Sequence, residues 1–440
     1  MSDVNMARRA EVEICFDGVD ISASMKPYLL SLTYTDREED DADDLEIKLQ
    51  DSSSIWMNSW LNWAVDAASS SQTVDATEGA SACVYMVTPQ IGLNVRTGPG
   101  FGYTKLGALP CGTEITVSDT ENGWAKINYN GKTAYVCAAY IQEVSGTAAG
   151  KTGAASRGMT IQAIIARRNW YGDGGDDILD TGLFELDTVS CDGPPSTVTI
   201  KATGLPFTAA IRQTQKSKAW EEYNLSGIAL ELSSTNGMTC MFLASHDPYY
   251  ARVEQFQVSD IVFLKQLCHD AGLSLKATNK AIVIFEQTDY ESKSAILTVK
   301  RNGGLYTRYK LLMSTADTQY ASCRVYYNDP ATGKCIEGTA YCEDYDSSKD
   351  TNQQLVLCRK VGSIGEAKEL AEKNLRLHNK FARTVQLTMT GDTRLVAGIN
   401  IQMEGWGGWD GKYIITQANH SIGSSGYTTN INARRVLEGY

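Results

Sequence analysis

The sequence predicts a mainly β protein with α+β parts: two tube-like β-barrel domains, an α/β domain and a small inserted β-barrel. Short segments of alternating apolar and polar residues recur along much of the 440-residue chain, as half-buried strands require. The 38 glycines and the many Thr, Val and Ile runs also favour β structure. Near the middle of the chain the apolar spacing changes from two to the 3.6 residues of a helix, which predicts the α/β part.

Charge and hydropathy exclude two classes of function. The net charge is −12, from 52 acidic and 40 basic residues, and the basic residues do not cluster, so a nucleic-acid-binding face is disfavoured. No window approaches the roughly 18 consecutive apolar residues of a membrane span. The first residues lack the apolar core of a signal peptide, so we expect synthesis and assembly in the bacterial cytoplasm.

The cysteines predict neither disulfides nor a metal site. There are eleven, an odd number without a Cys-x-x-Cys pair, which is typical of reduced and mostly buried thiols. Cys323, Cys335 and Cys342 are close in sequence, but their spacing fits no common zinc site. We therefore expect no metal and no cofactor.

The first hundred residues begin as β structure and contain an acidic run. Alternation predicts strands at Val12–Phe16, Leu30–Tyr34 and Leu45–Leu49. Between the last two, Asp36–Asp44 carries seven carboxylates in nine residues. The run lacks the central glycine and the regular ligand spacing of a calcium loop. A solvated, self-repelling loop is the favoured interpretation.

Two linkers enclose a separate small unit. Ala67–Ala82 and Ser145–Ser156 are rich in Ala, Ser, Thr and Gly, which is typical of flexible connections. Between them, short strand patterns are separated by turns at Gly98-Pro99-Gly100, Asn122-Gly123 and Asn130-Gly131. Such a run is sufficient for a closed barrel of about sixty residues.

The sequence between the two linkers resembles a bacterial SH3-type domain over Cys83–Val144. The resemblance is carried by Leu93–Gly100, Gly112–Val117 and Asn122–Ile127, and by the Tyr135-Val136 and Tyr140-Ile141 pairs. It implies binding of peptidoglycan or its peptide stems. The residues that it places near the recognition surface or its supporting core are Asn94, Arg96, Trp124, Tyr135 and Tyr140. Ala134-Tyr135-Val136 stands where many members have Gly-Trp-Val, and contact with another protein of the same assembly is the alternative role.

The central stretch has the most specific pattern of strands and helices. Gly182–Asp187 alternates as a strand and ends at Gly193-Pro194-Pro195, where two prolines without N–H donors end ladder pairing. A second, antiparallel strand is predicted at Thr197–Ala202. Helical spacing follows at Ile211–Trp220 and from Leu225 to Leu232.

The stretch continues with a strand, a helix and a hairpin. The pattern predicts a strand at Met238–Leu243 and a helix that begins at Ser259-Asp260 and ends at Gly272. A hairpin of Leu273–Ala277 and Ala281–Phe285 closes it. Further on, Ser363-Ile364-Gly365-Glu366 is a capping-box pattern that begins a helix among the late strands.

The order of these motifs resembles the phage late control protein D family. The order begins with Gly182-x-Phe184-x-x-Asp187 and Gly193-Pro194-Pro195. It continues with a helix holding Trp220, then Val258–Leu267 and the Val283-Ile284-Phe285 strand. Members are baseplate hubs, similar to the central hubs of myophage tails and type VI secretion spikes. The resemblance implies a homotrimer that joins a hexameric tail tube to a trimeric central spike around an axial channel.

The resemblance also implies partners, a location and a domain layout. The expected partners are the tail tube protein, the central spike protein, and the tape measure and other baseplate proteins, with peptidoglycan for the insert. The location is the baseplate of a virion, a phage-tail-like bacteriocin or another injection particle. The expected layout is 1–80 and 158–205 for the first hub barrel, 83–144 for the insert, 145–157 for a linker, 206–290 for the α+β hub domain, and 291–440 for the second hub barrel.

Nothing in the sequence predicts catalysis. The four histidines, His246, His269, His378 and His420, lie outside the known nucleophile and metalloprotease motifs. His269 follows Cys268 directly, and neighbouring side chains on a helix diverge by about 100°. The alternative function is a peptidoglycan-targeted cell-wall hydrolase or a wall-binding protein. A hydrolase would require a paired acid and carboxylate or a Cys/His dyad.

Overall fold

The fold was analysed in a computed structural model of the chain. The structure describes residues 7–16, 19–56, 83–87, 93–100, 103–109, 113–121, 123–129, 132–138, 141–143, 159–171, 175–205, 210–278, 280–314, 319–330, 333–343, 345–348, 352–424 and 426–437. They form two compact units. The first draws on residues 1–32, 44–208 and 422–426, and the second on 33–43, 209–421 and 427–440.

The first unit contains a host sheet whose strands come from both sides of the insert. Its elements are the strands Arg9–Phe16, Val19–Asp20, Asp44–Gln50, Thr160–Arg168, Asp176–Asp192 and Thr197–Thr203, and the short helix Ser22–Met25. The strand Leu29–Arg37 begins in this unit and ends in the second. The strand before the insert pairs with the strand after it, with Ile14 opposite Ala163, and Ile47 lies opposite Ile200 in a second such pair.

The strands at the start of the central stretch are confirmed. Asp176–Asp192 pairs antiparallel with Thr197–Thr203, and Val189 lies opposite Ile200. Phe184 is buried at 1% exposure, as the alternation predicts. The two strands connect through Gly193-Pro194-Pro195-Ser196.

The insert forms its own antiparallel sheet in the first unit. Its seven strands are Cys83–Val87, Leu93–Arg96, Lys105–Leu109, Glu114–Glu121, Trp124–Tyr129, Lys132–Cys137 and Ile141–Glu143. The first and last strands are neighbours, with Val87 opposite Ile141. The core is built from alternate residues of the inner strands, namely Leu93, Val95, Ile115, Val117, Ala125, Ile127, Ala134 and Val136. The predicted turn residues Asn122, Asn130 and Gly131 lie outside the described part.

The middle of the second unit combines helices with short sheets. Its helices are Ala210–Gln213, Leu225–Thr235, Asp260–Asp270 and Gln287–Glu291, and its strands are Gln215–Asn224, Thr239–Phe242, Tyr249–Ser259, Ser274–Ala277 and Ala281–Phe285. The helices that begin at Leu225 and Asp260 are confirmed, as is the antiparallel hairpin. Gly237, with φ +68°, follows the first of these helices.

The predicted helix at Ile211–Trp220 is wrong. Only Ala210–Gln213 is helical, and Trp220 lies on the strand Gln215–Asn224. This strand forms an antiparallel ribbon with Tyr249–Ser259, in which Trp220 lies opposite Val253. The indole stacks on Phe263 with ring centroids 6.5 Å apart. Pairing with a distant strand overrides the local helical spacing.

The C-terminal part of the second unit contains two sheets and a helix. Its strands are Leu297–Lys300, Tyr306–Met313, Ser322–Asn328, Cys335–Tyr341, Gln354–Cys358, Arg383–Thr390, Asn400–Glu404, Gly411–Gly423 and Gly426–Arg435. The helix Ile364–Asn379 begins with the predicted box: Ser363 Oγ accepts from Glu366 N at 3.1 Å, and Glu366 accepts from Gly362 N at 2.7 Å. The strand Tyr306–Met313 was not predicted.

The acidic run is not the solvated loop that its composition predicts. Asp36 and Glu38 each expose 5% of their surface. Asp36 lies on a strand, and its Oδ1 is 2.7 Å from Lys276 Nζ. Glu39 Oε1 is 2.5 Å from Lys380 Nζ. Cations more than two hundred residues away in sequence neutralise the run, so self-repulsion does not drive it into solvent.

The fold class is confirmed as mainly β, with several sheets and few helices. Closure of the host sheets into tube-like barrels stays a prediction. No helix in the described part of the chain is both long and apolar enough to span a bilayer.

Candidate functional site

The candidate recognition face of the insert is the sheet face opposite its core. Leu93 and Val95 are buried in the core, so strand alternation places Asn94 and Arg96 on the other face. Tyr135 lies directly opposite Arg96 on the neighbouring strand and therefore shares that face. We call Asn94, Arg96, Trp124 and Tyr135 the recognition face below. The fifth predicted residue, Tyr140, lies outside the described residues.

Arg96 supports the face from within. It exposes only 6% of its surface, and its Nη1 donates to the carbonyl oxygen of Tyr103 at 2.9 Å. The backbone of the same loop closes between Thr97 N and Thr104 O at 3.0 Å. The guanidinium thus holds the backbone at Tyr103, which favours the supporting role over direct contact with a ligand for Arg96.

Trp124 is also buried. It exposes 7% of its surface and lies opposite Cys137 on the adjacent strand. It is nevertheless absent from the insert's hydrophobic core cluster. Of the two positions that the resemblance allows for Trp124, the recognition surface or its supporting core, the burial favours the second.

Asn94 and Tyr135 are the predicted residues that stay partly exposed. Tyr103 joins them as a candidate that sequence reasoning missed: half of its surface is exposed, and its ring packs against Gly98. A Cβ at Gly98 would overlap that ring, which explains the need for glycine there. The sequence feature that could have revealed Tyr103 is an aromatic residue three positions after the Gly98-Pro99-Gly100 turn.

These side chains are suited to binding. Tyrosine rings offer flat apolar surfaces with a polar tip, and an asparagine amide both donates and accepts hydrogen bonds. The face carries no nucleophile paired with a base. Within the described ranges, no group of three or more His, Cys, Asp or Glu side chains is placed to hold a metal ion.

A second candidate is a cavity of about 430 Å³ inside the second unit. Its lining includes Glu38, Glu39, Cys268, His269 and Lys380. Burial raises the pKa of the Cys268 thiol far above its usual range, which keeps the thiol protonated. Although both Cys268 and His269 line the cavity, a protonated thiol is a poor nucleophile.

The pKa values of two carboxylates that line this cavity, Glu38 and Glu39, are shifted in opposite directions. Burial raises the pKa of Glu38, and the charge of Arg434 only partly opposes that shift. Burial would also raise the pKa of Glu39, but the charge and hydrogen bond of Lys380 lower it below its usual value. Ser274 Oγ donates a further hydrogen bond to Glu39 Oε2 at 2.5 Å. The cluster is a charge-compensated interior without a catalytic pair.

Comparison with known proteins adds two findings on the chain's parts. The family model described as bacterial SH3 domain matches residues 91–142. This chain contains a bacterial SH3 domain. The match lies inside the predicted Cys83–Val144 unit and includes all four residues of the recognition face.

The whole chain has the fold of phage tail proteins. It is similar to the 43 kDa tail protein of prophage MuSo2 from Shewanella oneidensis, with TM-score 0.55 and 11% identity, covering 97% of this chain and 98% of that one. It is also similar to the tail protein from Neisseria meningitidis MC58, with TM-score 0.57 and 8% identity, covering 97% of each chain. At such identities the likeness shows the fold.

Curated relatives match over short segments. A putative N-acetylmuramoyl-L-alanine amidase, YrvJ of Bacillus subtilis, is 34% identical over 103 residues, which is 23% of this chain and 18% of that protein. The probable endopeptidase p60 of Listeria innocua is 49% identical over 53 residues, 12% of this chain and 11% of that protein. The chain therefore spans less than a fifth of the length of either relative.

Proposed function

We propose that this chain is a structural hub of a contractile-tail baseplate: a homotrimer that joins a hexameric tail tube to a trimeric central spike and leaves an axial channel. The observation that carries the proposal is the fold likeness to two phage tail proteins along 97% of the chain. The order of motifs from Gly182 to Phe285 supports it as well, except that Trp220 lies on a strand and not on the expected helix. The proposed location is the baseplate of a tail particle.

Symmetry provides the mechanism. The proposed layout has two hub barrels per subunit, 1–80 with 158–205 and 291–440, and an α+β hub domain at 206–290. Three subunits would then present six similar β units to a six-fold tube and three equivalent surfaces to a spike. A head-to-tail contact that closes after three copies produces such a ring.

The stoichiometry of the purified chain tests the hub proposal. Light scattering and electron microscopy of the chain mixed with its spike and tube proteins should show rings of three copies. A chain that stays monomeric and binds neither partner would contradict the proposal. A ring of another copy number would contradict the trimer and leave a different hub stoichiometry.

We further propose that the SH3 domain binds cell wall through its recognition face as the tail penetrates. The support is the family match at 91–142 and the similarity to segments of two proteins whose names denote an amidase and an endopeptidase. Tyr103, which is exposed, and Asn94 and Tyr135, which are partly exposed, provide the polar and aromatic groups. The rival role is contact with another baseplate protein. The alternative function stays that of a peptidoglycan-targeted cell-wall hydrolase, which would require a paired acid and carboxylate or a Cys/His dyad.

Retention on purified peptidoglycan tests this second proposal. Tyr135→Ala in the full chain should lower retention about tenfold, since stacking and hydrogen bonding at one aromatic residue are worth about 1–2 kcal/mol. Lys132→Ala, an exposed site on the same strand whose side chain alternates onto the opposite face, is the matched control and should retain binding. If wild type and both variants show equal and negligible retention, wall binding is contradicted. The role of the domain would then be contact with another baseplate protein.

A further inference from the structure

Cys15 of the host sheet is more deeply buried than its position explains. It shares one strand face with Glu11 and Glu13, because every second residue of a strand points the same way. Those two carboxylates remain 29% and 39% exposed and pair with Arg168. Cys15 exposes only 4%. Something beyond the host sheet must cover this end of its polar face.

The insert provides that cover. Its strand Leu93–Arg96 contacts the host strand Val19–Asp20. Beside this contact, Lys105 Nζ of the insert lies 3.9 Å from Asp20 Oδ2 of the host. Burial raises the pKa of the Cys15 thiol to about 12, and the charges of Asp20 and Arg96 also act on that thiol.

The insert side shows the same contact in the burial of its recognition face. Trp124 is buried although it lies outside the insert's own core cluster. Its cross-strand neighbour is Cys137, which also acts electrostatically on Cys15. One contact between the recognition face and the host hairpin would account for the burial of both Trp124 and Cys15.

We propose that the host strands Arg9–Phe16 and Val19–Asp20, at Cys15 and Asp20, cap the recognition face of the insert, so that a wall ligand and these host strands compete for the same surface. The cap covers the end that holds Arg96 and Trp124 and leaves Asn94 and Tyr135 half-buried. Full exposure of the face requires separation of the insert from these host strands. The competition rests on the proposed wall recognition, whereas the cap itself does not.

Charge reversal on the insert side tests the cap. Lys105→Glu places a like charge against Asp20 and avoids changing Asp20, which accepts hydrogen bonds from Ser22 within the host. Labelling of Cys15 in the full chain by N-ethylmaleimide, followed by peptide mass spectrometry, should accelerate about three- to tenfold in this variant. Lys132→Glu, an exposed site on the same domain, is the matched control and should label as wild type does.

A charge-conserving variant separates the effect of charge from that of the substitution. Lys105→Arg keeps a cation against Asp20 and should label Cys15 at the wild-type rate. Peptidoglycan retention should rise in Lys105→Glu and stay at the wild-type level in Lys105→Arg. Unchanged labelling in Lys105→Glu and in a chain lacking residues 81–145 would overturn the cap. Faster labelling with negligible wall retention in every variant would keep the cap and refute wall recognition instead.

Discussion

Arg434 and Glu291 form a buried ion pair: Arg434 Nη1 lies 2.6 Å from Glu291 Oε1, and their side chains expose 1% and 3%. Arg434 also lies 3.5 Å from Glu38, and Glu291 pairs with Arg376. Two carboxylates and two guanidinium groups therefore compensate each other in the interior of the second unit. Removal of one member leaves the other charged groups buried away from water without full charge compensation.

Arg434→Leu should strongly destabilise the second unit. Loss of the guanidinium leaves Glu38 and Glu291 buried without their shared cation, which typically costs about 3–5 kcal/mol. Urea unfolding followed by tryptophan fluorescence measures the change. Lys300→Ala removes an exposed pair with Glu404 and should cost less than about 1 kcal/mol. Equal effects of the two substitutions would contradict the compensation described here.

Asp43 should make stability depend on pH. Burial raises its pKa from 3.8 to about 6, against the opposing charge of Lys276. A carboxyl with a raised pKa in the folded state binds more protons there than in the unfolded state. Its contribution is therefore fully present below pH 4 and is lost as pH rises through 6.

Asp43→Asn removes this contribution while its Oδ1 can still accept from Arg37 N. The urea midpoint of the variant should fall less between pH 4 and pH 7 than that of wild type, by the equivalent of about 1–3 kcal/mol. Asp41→Asn, an exposed change in the same acidic run, should follow the wild-type curve. A steeper fall in Asp43→Asn would reverse the assigned sign.

Gly338 allows a close contact between a strand and a helix. A Cβ at Gly338 would overlap the backbone of Ala367 and Lys368 in the helix Ile364–Asn379. Backbone cannot move aside as a flexible side chain does, so Gly338→Ala should destabilise by about 1–3 kcal/mol or more. At Gly408 the corresponding space is open, and Gly408→Ala should be nearly neutral. Thermal unfolding of both variants measures the difference.

Arg96→Met should loosen the 97–104 loop of the insert. Methionine retains the apolar length of arginine but loses the hydrogen bond to Tyr103 O, which as a charged bond is worth about 1.5–3 kcal/mol. Proteolysis within that loop should accelerate. Lys126→Met, a half-buried cation on the same sheet, is the comparison and should leave the loop protected. Faster cleavage in the comparison variant alone would contradict a positioning role for Arg96.

Sequence reasoning succeeded where local chemistry determines structure. The Ser363–Glu366 box began a helix because its two hydrogen bonds form within one turn. The insert was recognised because its glycine turns and alternating strands are local patterns. The hairpin around residues 274–285 was found for the same reason.

Sequence reasoning failed where contacts with residues distant in sequence determine the local structure. The strand Tyr249–Ser259 carries an exposed Phe256 and lacks clean alternation, and its partner strand had been assigned to a helix. The acidic run was predicted to be solvated because the cations that pair with it, Lys276, Lys380 and Arg434, are remote in sequence. The alternation of side chains along a strand predicts which face of the sheet holds Trp124. It does not predict that Cys15 and Asp20 lie against that face.

The adjacency of Val87 and Ile141 means that the chain leaves the insert close to where it enters. A segment with that geometry adds nothing to the span between the host strands, whatever its own length or surface. Replacement or loss of the insert should therefore leave the register of the host strands unchanged. On the proposed function, the surface that a particle recognises can then vary independently of how the particle is built.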